Sequence, residues 1–425
     1  MSDTARPGLL WDTSGLGDKP LWEYEPNLDD VAKVCQQTLG LSSDECHVSF
    51  LASGAMNKAY TVRVNDEKRY VMRVSLPIDP KNKTASEVAT LKWLHLNNPN
   101  VPVPEVIAFD DCNNNPIRFE WILMQYMPGQ PVSDKWRKMP WEDKIALVKQ
   151  IADSQMEIMK NSNFEGIGSL RETEKGTVPD RYVAMDFCFG KSFDCDVPRG
   201  PFRCIRDWTK SLTEIITQHY IDAIKNAEDD EDDGFDEDDR EYFEAYLKTT
   251  KRLANTIEQV FPDESESTVL QHADLILSNI MVDENNKLCG IIDWEFASTV
   301  PLWAANPATQ IPKFLDGHEQ EELPDRDAHG PAEPDSEGGG GLDDEGKASS
   351  YWESLMDYET TQLRKVYKDY VGQRLCPSAV RDHEDSAIKI RVDFLEAINW
   401  CRIGLLSGKI EDWLDEIEKG NFIRL

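Results

Sequence analysis

Apolar positions recur first with period two and later with the 3.6-residue period of a helix. Residues 47–52 (HVSFLA), 59–64 (AYTVRV) and 69–74 (RYVMRV) are short β-branched and aromatic runs, as expected of strands on a half-buried sheet. SGAMNK joins the first two, and NDEK turns the second pair into a hairpin. A helix is expected from about Thr84 to Leu96, with Val88, Leu91 and Leu94 on one face. Two more strands follow, in VPVPEVIAFD and RFEWILMQYM. Residues 47–127 therefore form a small, mostly antiparallel β lobe.

After PGQPVSDKW the period changes. MPWEDKIALVKQIADSQMEIM, CIRDWTKSLTEIITQHYIDAI and REYFEAYLKTTKRLANTIEQVF are amphipathic helical segments, and YWESLMDYETTQLRKVYKDYV and SAIKIRVDFLEAINWCRIGLL close the chain. Residues 128–425 form a larger helical lobe. Residues 1–46 are an N-terminal extension with one helix, LDDVAKVCQQTLG, where Val31, Val34 and Leu39 fall near helical spacing and Gly40 is the stop. With 425 residues, too many for one core, the fold class is α+β with two lobes.

Composition changes this picture in three ways. The net charge is −33, but EDDEDDGFDEDD (228–239) and the stretch from Asp316 to Ser350 carry about −20 of it. These stretches, within 227–240 and 316–350, are expected to be solvated acidic inserts, with attraction of a cationic ligand as the other reading. No basic stripe exists to neutralise phosphates, which argues against nucleic acid as a partner. No run approaches the length needed to span a bilayer, the start lacks the features of a secretory signal, and nine scattered cysteines without C-x-x-C pairs suit a reducing cytoplasm.

The β-rich stretch 270–297, LQHADLILSNIMVDENNKLCGIIDWEFA, interrupts the helical pattern. NIMV and LCGII are two strands joined by the turn-forming DENNK. Antiparallel pairing brings Asn279, at the start of the first, beside Asp293, at the end of the second. An amide oxygen and a carboxylate so placed can hold Mg²⁺, which favours a sparse oxygen set completed by phosphates and water. Asp274, five residues before Asn279, is positioned to orient a hydroxyl and accept its proton. Phosphoryl transfer is the chemistry this arrangement suggests.

His272-Ala273-Asp274, Asn279 and Asp293-Trp294-Glu295 resemble the catalytic loop and metal motif of the aminoglycoside phosphotransferase and choline kinase group. These are relatives of protein kinases that act on small molecules, and the D-x-x-x-x-N spacing is common to both. The resemblance implies a protein-kinase-like fold, ATP and Mg²⁺ as cofactors, Asp274 as catalytic base, Asn279 and Asp293 as metal ligands, and His272 as a brace for the loop. It extends over roughly residues 48–305. Ser53, Gly54 and Asn57 match an S-G-x-x-N phosphate loop, although the chain lacks G-x-G-x-x-G. Strand alternation puts Val71 and Arg73 on one face and Tyr70, Met72 and Val74 on the other. Arg73 stands where kinases usually have lysine to contact the α and β phosphates. Glu87 is either its helix partner or, in Thr84-Ala85-Ser86-Glu87, the end of a capping box. ILMQYMPGQP matches the hinge, where backbone groups of Gln125 and Met127 would bind adenine and Met124 would guard the pocket.

No A-P-E motif follows Trp294, which favours a small-molecule acceptor over a protein. RGPFRCIRDW and VPLW resemble segments of fungal members of the group. Glu295 and Trp303 would suit an ammonium-bearing acceptor, through carboxylate pairing and cation–π contact. The alternative to an ATP-dependent kinase is a nucleotide-binding pseudokinase or scaffold whose acidic loops engage partners. Arg73, the thin glycine loop and Ala273 favour that alternative; intact Asp274, Asn279 and Asp293 favour the enzyme.

Overall fold

In a computed structural model, the described residues are 6–13, 18–65, 68–229, 237–308, 310–325, 349–375, 385–405 and 408–425. Most of both acidic stretches lies outside them. The N-terminal segment contains more than the expected helix. A hairpin of β1 (Leu9–Asp12) and β2 (Lys19–Trp22) precedes α1 (Leu28–Leu39). Asn27 caps α1 by accepting the Asp29 and Asp30 N–H groups. Gly40, at φ 67°, ends it in the left-handed region that glycine enters without strain.

The β lobe is one antiparallel sheet of β3 (His47–Ser53), β4 (Asn57–Arg63), β5 (Arg69–Ser75), β6 (Val106–Asp110) and β7 (Glu120–Gln125), ordered β3-β4-β5-β7-β6. Its helix α2 spans Asn82–Asn97. The alternation expected for β5 is present. Tyr60, Val62, Tyr70, Met72 and Leu123 share a core with Val31, Val34 and Cys35 of α1. On the opposite face, Ile122 and Met124 pack with Val88 of α2 and with Val71. The strand read from Val101 begins only at Val106, because Pro102 and Pro104 cannot donate to a ladder.

The chain crosses to the second lobe through β8 (Gln130–Pro131), which pairs with Met281 and Val282. Gly129, at φ 100°, is required there: a Cβ would sit 2.2 Å from the Val282 carbonyl. The second lobe opens with α3 (Val132–Lys135) and α4 (Trp141–Asn161). Short strands β9 (Phe164–Glu165), β10 (Leu170–Thr173) and β11 (Gly176–Pro179), all unforeseen, come next. Then come α5 (Met185–Cys188), α6 (Ile205–Asp229) and α7 (Glu237–Val260). The central hairpin region holds β12 (Ser267–Gln271), β13 (Ile280–Val282), β14 (Leu288–Ile291), β15 (Ser298–Pro301) and α8 (Leu302–Ala305). Helices α9 (Ser349–Arg374), α10 (Ser386–Arg402) and α11 (Gly408–Glu418) complete the lobe.

Two clusters hold this lobe together. Leu147, Val148 and Ile151 of α4 belong to one with Leu363, Tyr367 and Val371 of α9. Leu253 and Ile257 of α7 belong to the other with Phe394, Ile398, Trp413 and Leu414 of α10 and α11. The fold is the two-lobed α+β architecture expected, with Arg73 of the sheet reaching Asp293 at the end of the β13–β14 hairpin.

Met72, fully buried between sheet and extension, tests whether the N-terminal segment is part of the β-lobe core. Met72→Ala is expected to lower stability by about 2–5 kcal/mol, read as a lower urea midpoint. A loss below about 1 kcal/mol would show that α1 is not packed there.

Candidate active site

The β13–β14 hairpin sets the centre of the candidate site. Ile280 pairs with Ile291, and the Ile292 N–H donates to the Asn279 carbonyl at 2.9 Å. Asn279 is thus across the ladder from the residue preceding Asp293, as antiparallel pairing requires. Asn279 Nδ2 donates to the Asp274 carbonyl at 2.8 Å and approaches Asp274 Oδ2 at 3.4 Å. With the amide nitrogen held, Asn279 Oδ1 has no protein partner among the described residues. Asp293, at φ 63°, is in a region that Asp tolerates better than most residues. Its Oδ1 accepts from Arg73 at 3.1 Å, and Oδ2 likewise has no described partner. Two oxygens without described partners at the end of the hairpin suit a hard cation.

His272 joins the two halves of the motif. Its Nδ1 accepts the Asp274 N–H at 3.1 Å, and its Nε2 donates to the Ile292 carbonyl at 3.1 Å. These partners select the neutral tautomer. Burial, acting against the Ile292 bond and the Asp274 charge, lowers the imidazole pKa to about 4. The Trp294 ring lies 4.5 Å from the imidazole, centroid to centroid, and its Nε1 donates to the Ile291 carbonyl.

The sheet contributes the opposing charges. Arg73 forms an ion pair with Glu87, which decides between the two roles open to Glu87. Helix α2 starts at Asn82, so Thr84 lies inside it and cannot be the cap. Four residues before Glu87, Lys83 is almost wholly buried and pairs with Glu295 at 2.6 Å. Asn57 Nδ2 also donates to Glu295, while Asn57 Oδ1 accepts from Ser75 and Lys83. Burial pushes Asp293 up to about 6, assisted by Glu295 and opposed by Arg73 and Lys83. For Glu295 the balance reverses: Lys83, Arg73 and the Asn57 bond outweigh its burial and hold it low.

Several expected residues therefore have different surroundings. Glu295 and Trp303 were expected to meet an acceptor. Both are buried, Glu295 against Lys83 and Asn57, and Trp303 against Phe261 with Nε1 donating to Glu266. The Asn57 side chain points to Glu295 rather than over a phosphate site. Ser53 is exposed at the turn, where Gly54 N–H donates to the Asn57 carbonyl. A Cβ at Gly54 would make only ordinary contact, so the fold does not demand this glycine and the backbone there is open to a ligand. At the hinge, the Gln125 N–H already donates to Glu105, whereas the Met127 N–H has no described partner. The register places Ala59 opposite Arg73 and Val71 opposite Met124, giving the sheet's inner face small apolar residues suited to a flat ring. Sequence reasoning missed Lys83 and Lys313, the latter 2.7 Å from Asp274 Oδ1. Neither had a usable signal: the i,i+4 spacing of Lys83 and Glu87 suggests that they pair with each other, whereas Lys83 pairs with Glu295 and Glu87 with Arg73.

The neutral, half-buried His272 gives a pH test. Between about pH 4 and 6.5 the unfolded chain binds the proton that the folded imidazole refuses, so stability rises with pH across that window. The contribution is fully present above 6.5 and is lost as pH falls towards 4. Asp293, raised to about 6, gives the opposite slope over an overlapping range, so the difference between proteins is the informative quantity. His272→Gln is expected to have a flatter acid limb than wild type in pH-dependent urea denaturation. Parallel limbs would contradict the neutral assignment.

The chain was compared with known proteins. The model of the phosphotransferase enzyme family called APH matches residues 47–166 and 196–304. A subtelomeric hrmA-associated cluster protein of Aspergillus fumigatus is 25% identical over 327 residues, covering 63% of this chain and 61% of that protein. Altered inheritance of mitochondria protein 9, mitochondrial, of Eremothecium gossypii is 31% identical over 179 residues, covering 39% of this chain and 28% of that one. The chain thus spans less than two thirds of the length of these relatives. Among solved structures, the streptomycin–ATP–APH(2")-IIa ternary complex aligns with 91% of this chain and 99% of that one, at 12% identity and a TM-score of 0.45. A putative fructosamine-3-kinase from Thermobifida fusca aligns with 92% and 100%, at 14% identity and 0.44. With its family model matching both lobes across the hairpin and its flanking elements, the chain belongs to the APH phosphotransferase enzyme family.

Proposed function

We propose that the protein is an ATP- and Mg²⁺-dependent phosphotransferase that transfers the γ-phosphoryl group to a hydroxyl of a small molecule. The observation that carries this reading is the meeting of Asp274, Asn279 and Asp293 at one end of the hairpin, opposite the Arg73–Glu87 pair. Asn279 Oδ1 and Asp293 would hold Mg²⁺, which would offset charge on the transferring phosphates. The adenine would lie against Ala59, Val71 and Met124 and bond the free Met127 N–H. The exposed backbone at Gly54 would cover the phosphates. Arg73, held by Glu87, would contact the α and β phosphates with a planar fork in place of a lysine's point charge.

Asp274 would act as base. Its backbone N–H is held by His272 and its carbonyl by Asn279, so the carboxylate is presented from a braced loop. It would accept the hydroxyl proton as the oxygen forms its bond to the γ-phosphorus and the bond to the β–γ bridging oxygen breaks. With Glu295 and Trp303 buried, the two residues on which an ammonium-bearing acceptor rested are occupied elsewhere, and the acceptor class proposed is a hydroxyl compound without that restriction. The eight described cysteines are all free, and no helix among the described residues is long and apolar enough to cross a membrane. The free thiols support placement in the cytoplasm.

ATP with Mg²⁺ is expected to raise the melting temperature, since a ligand of the native state stabilises it by mass action. A panel of sugars, amino alcohols and polyols is expected to yield an acceptor that stimulates ADP release. Asp274→Ala should then lower turnover by at least about 10²-fold while nucleotide affinity changes little. Unchanged acceptor-dependent turnover in that variant would remove Asp274 from its role. Nucleotide binding with no turnover on any acceptor would favour the scaffold reading.

A further inference from the structure

Lys313 is held against the reacting centre by structure rather than by chance of a flexible loop. It opens a single 3₁₀ turn, Lys313–Leu315, whose next two residues, Phe314 and Leu315, are buried. The Phe314 N–H donates to the Leu275 carbonyl at 2.9 Å, joining the turn to the residue after Asp274. From the other side, Arg364 of α9 donates to the carbonyls of Leu315 and Gly317. On this pedestal the Lys313 side chain remains 58% exposed, with Nζ 2.7 Å from Asp274 Oδ1. The backbone is anchored while the ammonium keeps its freedom to move.

The other cations nearby lack that freedom. Arg73 is buried between Glu87 and Asp293, and Lys83 is buried against Glu295 and Asn57. A hydroxyl donating to Asp274 lies about 3 Å from the carboxylate, and its oxygen meets the phosphorus within about 3.5 Å. The transferred group therefore passes within reach of a lysine whose stem already spans to Asp274.

Resting on the phosphotransferase reading above, we propose that Lys313 is a catalytic residue: its ammonium leaves Asp274 Oδ1 to meet the equatorial oxygens of the γ-phosphoryl group in transit. The acceptor oxygen bonds to the γ-phosphorus, the bond to the β–γ bridging oxygen breaks to leave ADP, and the hydroxyl proton passes to Asp274. Lys313 keeps its own protons throughout. Proton transfer cancels the carboxylate charge that held the ammonium, releasing it as negative charge spreads over the phosphoryl oxygens. An interaction stronger in the transition state than before it accelerates the step.

The test needs no acceptor. ADP with Mg²⁺ and aluminium fluoride places a planar anion where the phosphoryl group would be in transit. Calorimetric titration is expected to show that aluminium fluoride tightens Mg–ADP binding to wild type. In Lys313→Ala and Lys313→Met, Mg–ADP affinity should stay within about twofold while the tightening falls at least tenfold, and Lys313→Arg should recover part of it. Full tightening in the Ala and Met variants would overturn the proposal, as would an equal loss of plain Mg–ADP affinity, which would indicate a structural role. If wild type binds Mg–ADP without any tightening, the Lys313 inference fails alone. If it binds no Mg–ADP, the phosphotransferase reading fails with it.

Discussion

Pairing of two three- to four-residue strands is the constraint on which the rest of the site depends. With Ile280 opposite Ile291 and the Ile292 N–H on the Asn279 carbonyl, two residues fourteen positions apart in sequence become neighbours. A one-residue slip in register would send alternate side chains to the opposite face. The register is protected on several sides. Ile280, Val282 and Ile291 are buried in one cluster, β8 pairs with β13, and His272 bridges from Asp274 to the Ile292 carbonyl.

Electrostatics around the hairpin follow from how buried charges are matched. Two cations, Arg73 and Lys83, face three carboxylates, Glu87, Glu295 and Asp293. Glu87 and Glu295 each have a close cation, and Asp293 is left sharing Arg73. Desolvation, assisted by the Glu295 charge and opposed by Arg73, raises its carboxyl to about 6. A half-buried carboxylate with an oxygen lacking a described partner and a raised pKa is well suited to binding a cation. Breaking either flanking pair would strand a buried charge, a loss of about 3–5 kcal/mol. Lys83 and Glu295 are buried and paired with each other, so the expected pairing of Glu295 with an ammonium is replaced by one within the chain.

How much of this was legible depended on the range of the interaction concerned. Local periodicity indicated the five strands of the sheet and the major helices, because side-chain alternation is a property of a few consecutive residues. The hairpin geometry of Asn279 and Asp293 was legible for the same reason. The β1–β2 hairpin was not, since Leu9–Asp12 and Lys19–Trp22 are short and gain their burial from the sheet they cover. Whether Glu87 caps its helix or pairs with Arg73 turned on a two-residue shift in where α2 starts. Glu295 and Trp303 were misplaced because their acidic and aromatic character said nothing of which neighbours would bury them. Lys313 comes twenty residues beyond Asp293 in an irregular segment, so only tertiary structure brings it to Asp274.

The most direct test of this account is a crystal structure with Mn²⁺ in place of Mg²⁺ and a non-hydrolysable ATP analogue, located by anomalous scattering. The account predicts a Mn²⁺ peak coordinated by Asn279 Oδ1 and an Asp293 oxygen, with the triphosphate on its open side. A nucleotide-bound metal elsewhere, with those two oxygens still unligated, would contradict it.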